Sequence, residues 1–504
     1  MAKETAVRSG GSPVASTIKL SVMTLAIMNV AAVVSLRGLP AEAEYGLGSI
    51  FYYLFAAVVF LIPVSLVAAE LAAGWPQKGG VYRWVGEAFG PRLGFLAIWL
   101  LWIESTIWFP TVLTFAAVSL AFIGPDQKWD EAFAAQKMYV LAVCLIVYWG
   151  ATLVNMRGVE AGAKLSKYGA LIGTIIPGGI IIVFGVIWLI MGKPLQMPVS
   201  AGDLIPDLTN INNLVLASSI FLFYAGMEMS AVHVKDIDNP TVNYPKAIFL
   251  SSIITVVLFV FGTLAIGFII PQAQINLTQS LLVAYDDFFN AFGLGFLGPV
   301  LAIALAIGVL AGVSTWIGGP SRGLLAVGQS GYLPPFMQKT NKAGVQVNIL
   351  IIQGVIVSLL TLLFVVLPSV QAVYQILSQL TITLYLIMYL LMFAAAIWLR
   401  IRNPRHPRPY SVPGGAVGMY VIGAVGFLGA LLAFVLSFFP PSQISVGSPA
   451  TFIGFLIAGN VLFVAIPFVI YAMRKPEWKT ATGDAAMEPF SWEQPGAAPK
   501  PGSR

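Results

Sequence analysis

Three carboxylates, Glu70, Glu104 and Glu228, stand in stretches of sequence that are otherwise uncharged. Glu104 lies in Trp99-Leu-Leu-Trp-Ile-Glu-Ser-Thr-Ile-Trp108 and Glu228 closes Phe223-Tyr-Ala-Gly-Met-Glu228. A charge at the centre of a hydrocarbon layer costs at least ~2.5 kcal/mol on insertion scales, so such a group faces a cavity, a cation or a proton source. The chemistry open to Glu104 and Glu228 is therefore to load and release a proton and to pair with an ammonium group. Glu70 stands near the end of its run, where a structural hydrogen bond or ion pair is expected. Cys144 is the only cysteine and there are two histidines. That inventory offers no disulfide and no metal site at the usual ligand spacing, so no cofactor is expected. His233 and His406 are expected in solvated loops. There is no nucleotide-binding P-loop pattern, which speaks against ATP as an energy source.

The carboxylates need elements to carry them. Glu104 falls about ten residues into its apolar run, close to 15 Å deep at 1.5 Å per helical residue. Asn29 falls midway along another run, within Met28-Asn-Val-Ala-Ala32, and Tyr224-Ala225-Gly226 precedes Glu228 in a third. Backbone groups left unpaired in lipid cost several kcal/mol, so an interruption in a span marks a protein-lined cavity. Interruptions at Met28, Asn29, Val30, Ala31 and Ala32 in the first span and at Tyr224, Ala225 and Gly226 in the sixth form a pair that points to a transporter of the inverted-repeat kind. The alternative is an interhelical hydrogen bond from Asn29 and close packing at Gly226. Arg37, at the outer end of the first run, either offsets a charge, attracts an anion or anchors the helix at the interface. Trp316, which ends Gly308-Val-Leu-Ala-Gly-Val-Ser-Thr-Trp316, is the aromatic best placed to form a gate, with Trp108, Tyr224, Tyr374 and Tyr385 as further candidates.

The whole composition agrees. Of 504 residues, 58% are hydrophobic and 10% charged, whereas soluble domains carry roughly 25% charged residues. A spanning helix needs about 20 apolar residues, and twelve runs of that kind are predicted, starting near residues 18, 48, 94, 136, 165, 210, 246, 295, 346, 371, 416 and 450. An all-α integral membrane protein with twelve spans is expected, and a soluble enzyme or a porin-like barrel is excluded. With an even number of spans both termini share a side. Placing them inside puts 23 of the 27 Lys and Arg in cytoplasmic segments and leaves Arg37, Lys128, Lys137 and Lys193 outside, a strong positive-inside bias. The net charge of +6 then reflects topology rather than a nucleic-acid partner. Residues 1–17 and 474–504 are polar and read as flexible cytoplasmic tails, without signal-peptide character at the start.

Longer motifs carry a family resemblance. The segment Gly74-Trp-Pro-Gln-Lys-Gly-Gly-Val-Tyr-Arg-Trp-Val-Gly-Glu-Ala-Phe-Gly90 resembles the loop between the second and third helices of the amino acid-polyamine-organocation (APC) permeases. So do Gly319-Pro-Ser-Arg-Gly-Leu324 and Gly331-Tyr-Leu-Pro334, and the stretch from Tyr224 to Pro240 with Tyr244-Pro245 resembles their glutamate:GABA antiporter branch. The resemblance covers roughly residues 18–473. It implies a leucine-transporter-type fold, with a 5+5 inverted repeat of ten helices over 18–400 and two further helices over 401–473. It also implies substrate held between the broken parts of helices one and six, with Glu104 in the pocket, Glu228 in proton-linked gating and Trp316 over the substrate. A lysine of helix five replaces sodium in some relatives; Lys167 stands as a candidate for that task or as a cytoplasmic anchor. The Gly-Ser-Gly with which many relatives unwind helix one is replaced here by Asn29-Val-Ala-Ala32. The expected function is secondary transport of an amino acid or related amine across the cytoplasmic membrane, proton-linked or by exchange, glutamate/GABA-like in its closest branch. Polyamine uptake and a nutrient sensor retaining the fold stand as alternatives. An enzyme is not expected, because no nucleophile, base or metal constellation is present.

Overall fold

The computed structural model describes residues 20–157, 168–169, 171–209, 212–229, 237–441, 448–481 and 487–493. Lys167, His233 and the tail residues 1–19, 482–486 and 494–504 lie outside the described residues, as do the side chains of Ala31 and Ala32.

The described chain is helical throughout, with only isolated bridges and no strand among the described residues. In chain order the helices that matter are α1 (Val22–Val33), α2 (Leu39–Ala43), α3 (Gly48–Gly74), α4 (Val81–Phe89), α5 (Pro91–Ala121), α6 (Gln127–Ala134), α7 (Lys137–Met156) and α8 (Leu171–Ile190). They are followed by α9 (Ser219–Tyr224), α10 (Pro240–Ile269), α11 (Ser280–Ala291), α12 (Gly298–Gln329), α13 (Val347–Val366), α14 (Val370–Arg402), α15 (Gly415–Leu436) and α16 (Pro449–Ala472). Ten of the described helices are long and apolar enough to cross a membrane: α3, α5, α7, α8, α10 and α12 to α16. The first and sixth predicted spans are not among the ten, because both are broken into short pieces.

Burial ranks the helices by position. The most apolar stretch of α5 is 94% buried and that of α16 only 22%, so α5 is the central post and α16 lies at the periphery. Without water between helices, small residues decide how closely they approach. A Cβ on Gly173 of α8 would stand 2.2 Å from Cα of Gly308 in α12, so these helices cross glycine against glycine.

Glu70 ties α3 to the last turn of α14 and the segment that follows it. Its Oε1 lies 3.2 Å from Arg400 and 3.1 Å from Arg408, and its Oε2 accepts the Val412 N–H at 2.7 Å. This is the ion pair and hydrogen bond expected of Glu70. His406 is not a solvated loop residue: its ring stacks on Trp75 at 4.3 Å and meets the Gly74 carbonyl at 2.8 Å. Within 474–504, the residues that are described lie against the body. Thr480 N–H donates to the Gln329 carbonyl, and Arg83 of α4 donates to the carbonyls of Glu488 and Pro489 at 2.7 and 2.9 Å.

Candidate functional site

The first span breaks later than expected. Met28, Asn29, Val30, Ala31 and Ala32 all belong to α1, which runs unbroken to Val33. The chain then becomes extended at Val34 (φ −70°, ψ 121°) and Ser35 (φ −133°, ψ 114°), makes one 3₁₀ turn over Leu36–Gly38 and resumes as α2 with Pro40 in its first turn. The run Val30-Ala-Ala-Val33 has nothing that competes with helical hydrogen bonds in an apolar setting. Ser35 does, through a side chain able to bond to nearby backbone, and Pro40, which has no N–H, stands in the first turn of α2, where that donor is not needed, with Leu39 already helical (φ −57°, ψ −40°). Asn29 is buried and donates to Ser251 Oγ of α10 at 3.4 Å. The helix-packing alternative describes Asn29, and the interruption belongs to Val34 and Ser35.

The sixth span breaks where its residues indicated. α9 ends at Tyr224, Ala225 is extended (φ −72°, ψ 154°) and Gly226 has φ +109°, a conformation that favours glycine. The two breaks touch. A Cβ on Gly38 would come within 2.6 Å of the Phe223 ring, so only glycine lets them meet.

A cavity of about 1030 Å³ opens beside the two breaks. Its wall includes Ser35 and Arg37 from the first break, Phe223 and Ala225 from the sixth, Glu104, Ser105 and Trp108 of α5, Trp316 of α12 and Tyr385 of α14. Met28 also lines it, whereas Asn29, Val30, Tyr224 and Gly226 do not. Tyr224 points away, packing on Tyr53 and Phe259, and Gly226 gives its N–H to the Tyr389 hydroxyl at 2.8 Å. At its far end the cavity reaches Thr24, Asn155 and Arg322.

Glu104 is 2% exposed and its Oε1 has no hydrogen-bond partner, so it is a desolvated carboxyl on the cavity wall. Glu228 is equally buried but stands one layer back. Its two oxygens accept from the Tyr385 and Tyr389 hydroxyls, each at 2.5 Å. Tyr385, whose ring stacks on Tyr389 at 4.7 Å, separates Glu228 from the cavity. The chain Gly226 N–H, Tyr389, Glu228, Tyr385 thus joins the backbone of the sixth break to α14 and to the cavity. Sequence reasoning named Tyr385 among many aromatics and missed Tyr389. The signal was there: two tyrosines four residues apart on one face of a membrane helix.

Trp108 of α5 and Trp316 of α12 both line the cavity and meet with ring centroids 5.8 Å apart. Arg37 is 2% exposed, which excludes an interfacial anchor; it lies under Trp108, Phe223 and Tyr374 at 5.3–5.7 Å.

An all-helical membrane protein with a large cavity at two helix breaks, and with buried carboxyls on and behind its wall, has the architecture of a solute transporter. Comparison with known proteins specifies the class. The family model described as amino acid permease matches residues 20–463. An uncharacterized transporter of Legionella pneumophila is 41% identical over 450 residues, 89% of this chain and 96% of that protein. A glutamate/gamma-aminobutyrate antiporter of Lactococcus lactis is 32% identical over 460 residues, 90% of each chain. A probable agmatine/putrescine antiporter of the same species is 23% identical over 423 residues, covering 82% of this chain and 87% of that protein. The chain belongs to the amino acid permease family; it is a multi-pass secondary transporter and not an enzyme.

Proposed function

We propose that this protein exchanges an amino acid or related amine across the cytoplasmic membrane by alternating access, with Glu104 as the proton- and ammonium-handling group of the cavity. The observation that carries the reading is a buried carboxyl, one oxygen of which has no hydrogen-bond partner, on the wall of a 1030 Å³ cavity where two broken spans meet. Glutamate and 4-aminobutyrate are the substrates of first choice, by similarity to the lactococcal antiporter. Support for a twelve-helix, 5+5 inverted-repeat core with two added helices comes from ten crossing helices plus broken segments at the first and sixth places. The excess of Lys and Arg in the segments assigned to the inside supports cytoplasmic termini.

In this reading the residue behind the wall, Glu228, couples the site to movement. Protonation of Glu228 changes which hydroxyl donates and which accepts between Tyr385 and Tyr389, and thereby the fit of α14 on the sixth break. Lys167 remains a candidate for the position that sodium fills in other relatives.

Reconstituted proteoliposomes test the proposal. Counterflow of labelled glutamate or 4-aminobutyrate should occur and should respond to an imposed pH gradient. Glu104→Gln should weaken amine-substrate binding by more than ten-fold, because a charge-assisted contact in a dehydrated pocket contributes roughly 1.5 to 3 kcal/mol. Unchanged affinity in a calorimetric titration would make Glu104 a packing residue.

A further inference from the structure

The cavity wall carries a cation that the transport cycle just described leaves unused. Arg37 makes no ion pair among the described residues. Its Nη1 donates to the hydroxyls of Thr111 and Tyr374 at 3.2 Å each, and its Nε has no partner. Three aromatic faces surround the guanidinium at 5.3 Å (Phe223), 5.6 Å (Trp108) and 5.7 Å (Tyr374). Rings and hydroxyls soften the desolvation of a buried cation but do not neutralise it. A carboxylate arriving through the cavity would do so, and the planar fork of arginine is suited to receive one.

We propose that Arg37 binds the carboxylate of the transported molecule while Glu104 faces its ammonium group, so that the substrate is an amino acid whose two charges are separated by about three carbons. The separation is read from α5. Arg37 lies against Trp108 and Thr111 of that helix, four and seven residues beyond Glu104. At 1.5 Å per residue the two charged levels are about 6 to 10 Å apart. An amine and a carboxylate held apart by three carbons, with bonds of about 1.5 Å, span roughly 5 to 6 Å before their hydrogen bonds are added. Both the side-chain carboxylate of glutamate and the sole carboxylate of 4-aminobutyrate meet this requirement. Glycine is too short. A diamine of the same length brings a second ammonium against the guanidinium, a like-charge contact in a poorly screened site. The inference rests on the reading of this chain as an amino acid or amine transporter.

The test is competition for counterflow in proteoliposomes with glutamate, 4-aminobutyrate, glycine and putrescine. The wild-type protein should favour the first two over glycine and putrescine by at least ten-fold. Arg37→Gln should reduce the preference for 4-aminobutyrate over putrescine by ten-fold or more, through loss of affinity for the carboxylated compound. Arg37→Lys, which keeps the charge and loses the fork, should bind 4-aminobutyrate several-fold more weakly with putrescine unchanged; it serves as the deciding variant where the glutamine variant does not fold. A selectivity ratio unaltered by either substitution, an equal loss for every compound, or a wild-type preference for putrescine or glycine overturns the assignment of Arg37. Transport of none of the four by the wild type overturns the functional reading itself.

Discussion

Glu228 is held by two tyrosine hydroxyls rather than by a cation, and this decides how it responds to substitution. Glu228→Gln keeps the size of the side chain and can still bond to Tyr385 and Tyr389, so the fold should survive. The amide cannot carry a titrating proton, and the pH dependence of exchange should flatten. A pH profile of proteoliposome uptake identical to that of the wild type would remove Glu228 from proton coupling. Trp316 makes a different kind of contribution. In the proposed function its ring forms a gate with that of Trp108, which it meets on the cavity wall, and loss of one partly buried aromatic removes few of the contacts that pack the bundle. Trp316→Ala should therefore reach the membrane in normal amount yet lose most coupled exchange, while Trp316→Phe should be moderately slowed. Exchange by the alanine variant at the wild-type rate would show the ring to be packing alone.

At the scale of elements, the short helices α6 and α11 outside the membrane meet through acidic residues. Gln127 bridges them, donating to Glu131 at 3.0 Å and pairing with Asp287, and Gln279 donates to the Glu131 carbonyl at 3.2 Å. Burial first, and then the charges of Asp130, Asp287 and Glu131, push the Asp286 carboxyl up to about 7 from an ordinary 3.8. Burial and Asp126 push Asp130 up to about 6. A carboxyl whose value is raised on folding makes the folded state bind more protons than the unfolded chain between the two values. Stability from this contact is therefore full below about 4 and falls as pH rises toward 7. Asp286→Asn, which keeps the shape and removes the charge, should raise the unfolding temperature at pH 8 more than at pH 5. Equal shifts at both values, measured by thermal unfolding in detergent, would show that repulsion at Asp286 does not matter.

For the whole molecule, α8 and α12 cross glycine against glycine beside the cavity. Gly308 has no room for a side chain, since an added Cβ would lie 2.6 Å from Cα of Gly173. Overpacking of a tight contact costs about 1 to 3 kcal/mol. Gly308→Val should lower the unfolding temperature and the yield of folded protein, whereas Gly312→Ala, where an added Cβ meets nothing within 4 Å, should leave both unchanged. Similar melting curves for the two variants would contradict the close crossing.

The amino-acid sequence by itself determined that the chain is a helical membrane protein, because apolar run length and the scarcity of charge depend on no partner. It also pointed to Glu104 and Glu228 as carboxyls within apolar spans and to a break of the sixth span at Gly226, since a carboxyl in an apolar run and a glycine beside it are local facts. The position of the first break was not legible in that way. Asn29 looked like an interruption but stays helical and donates to Ser251 on a helix more than two hundred residues later, and the real break at Val34 and Ser35 lies just before Gly38, which packs against Phe223 of the sixth span. Whether Arg37 faces the interface or the cavity, and whether Glu228 touches the cavity or stands behind Tyr385, depended likewise on which distant helices pack against them. Sequence spacing measures depth along one helix; only the tertiary structure decides which neighbour waits at that depth, because long-range packing and buried hydrogen bonds choose the direction in which each side chain is satisfied.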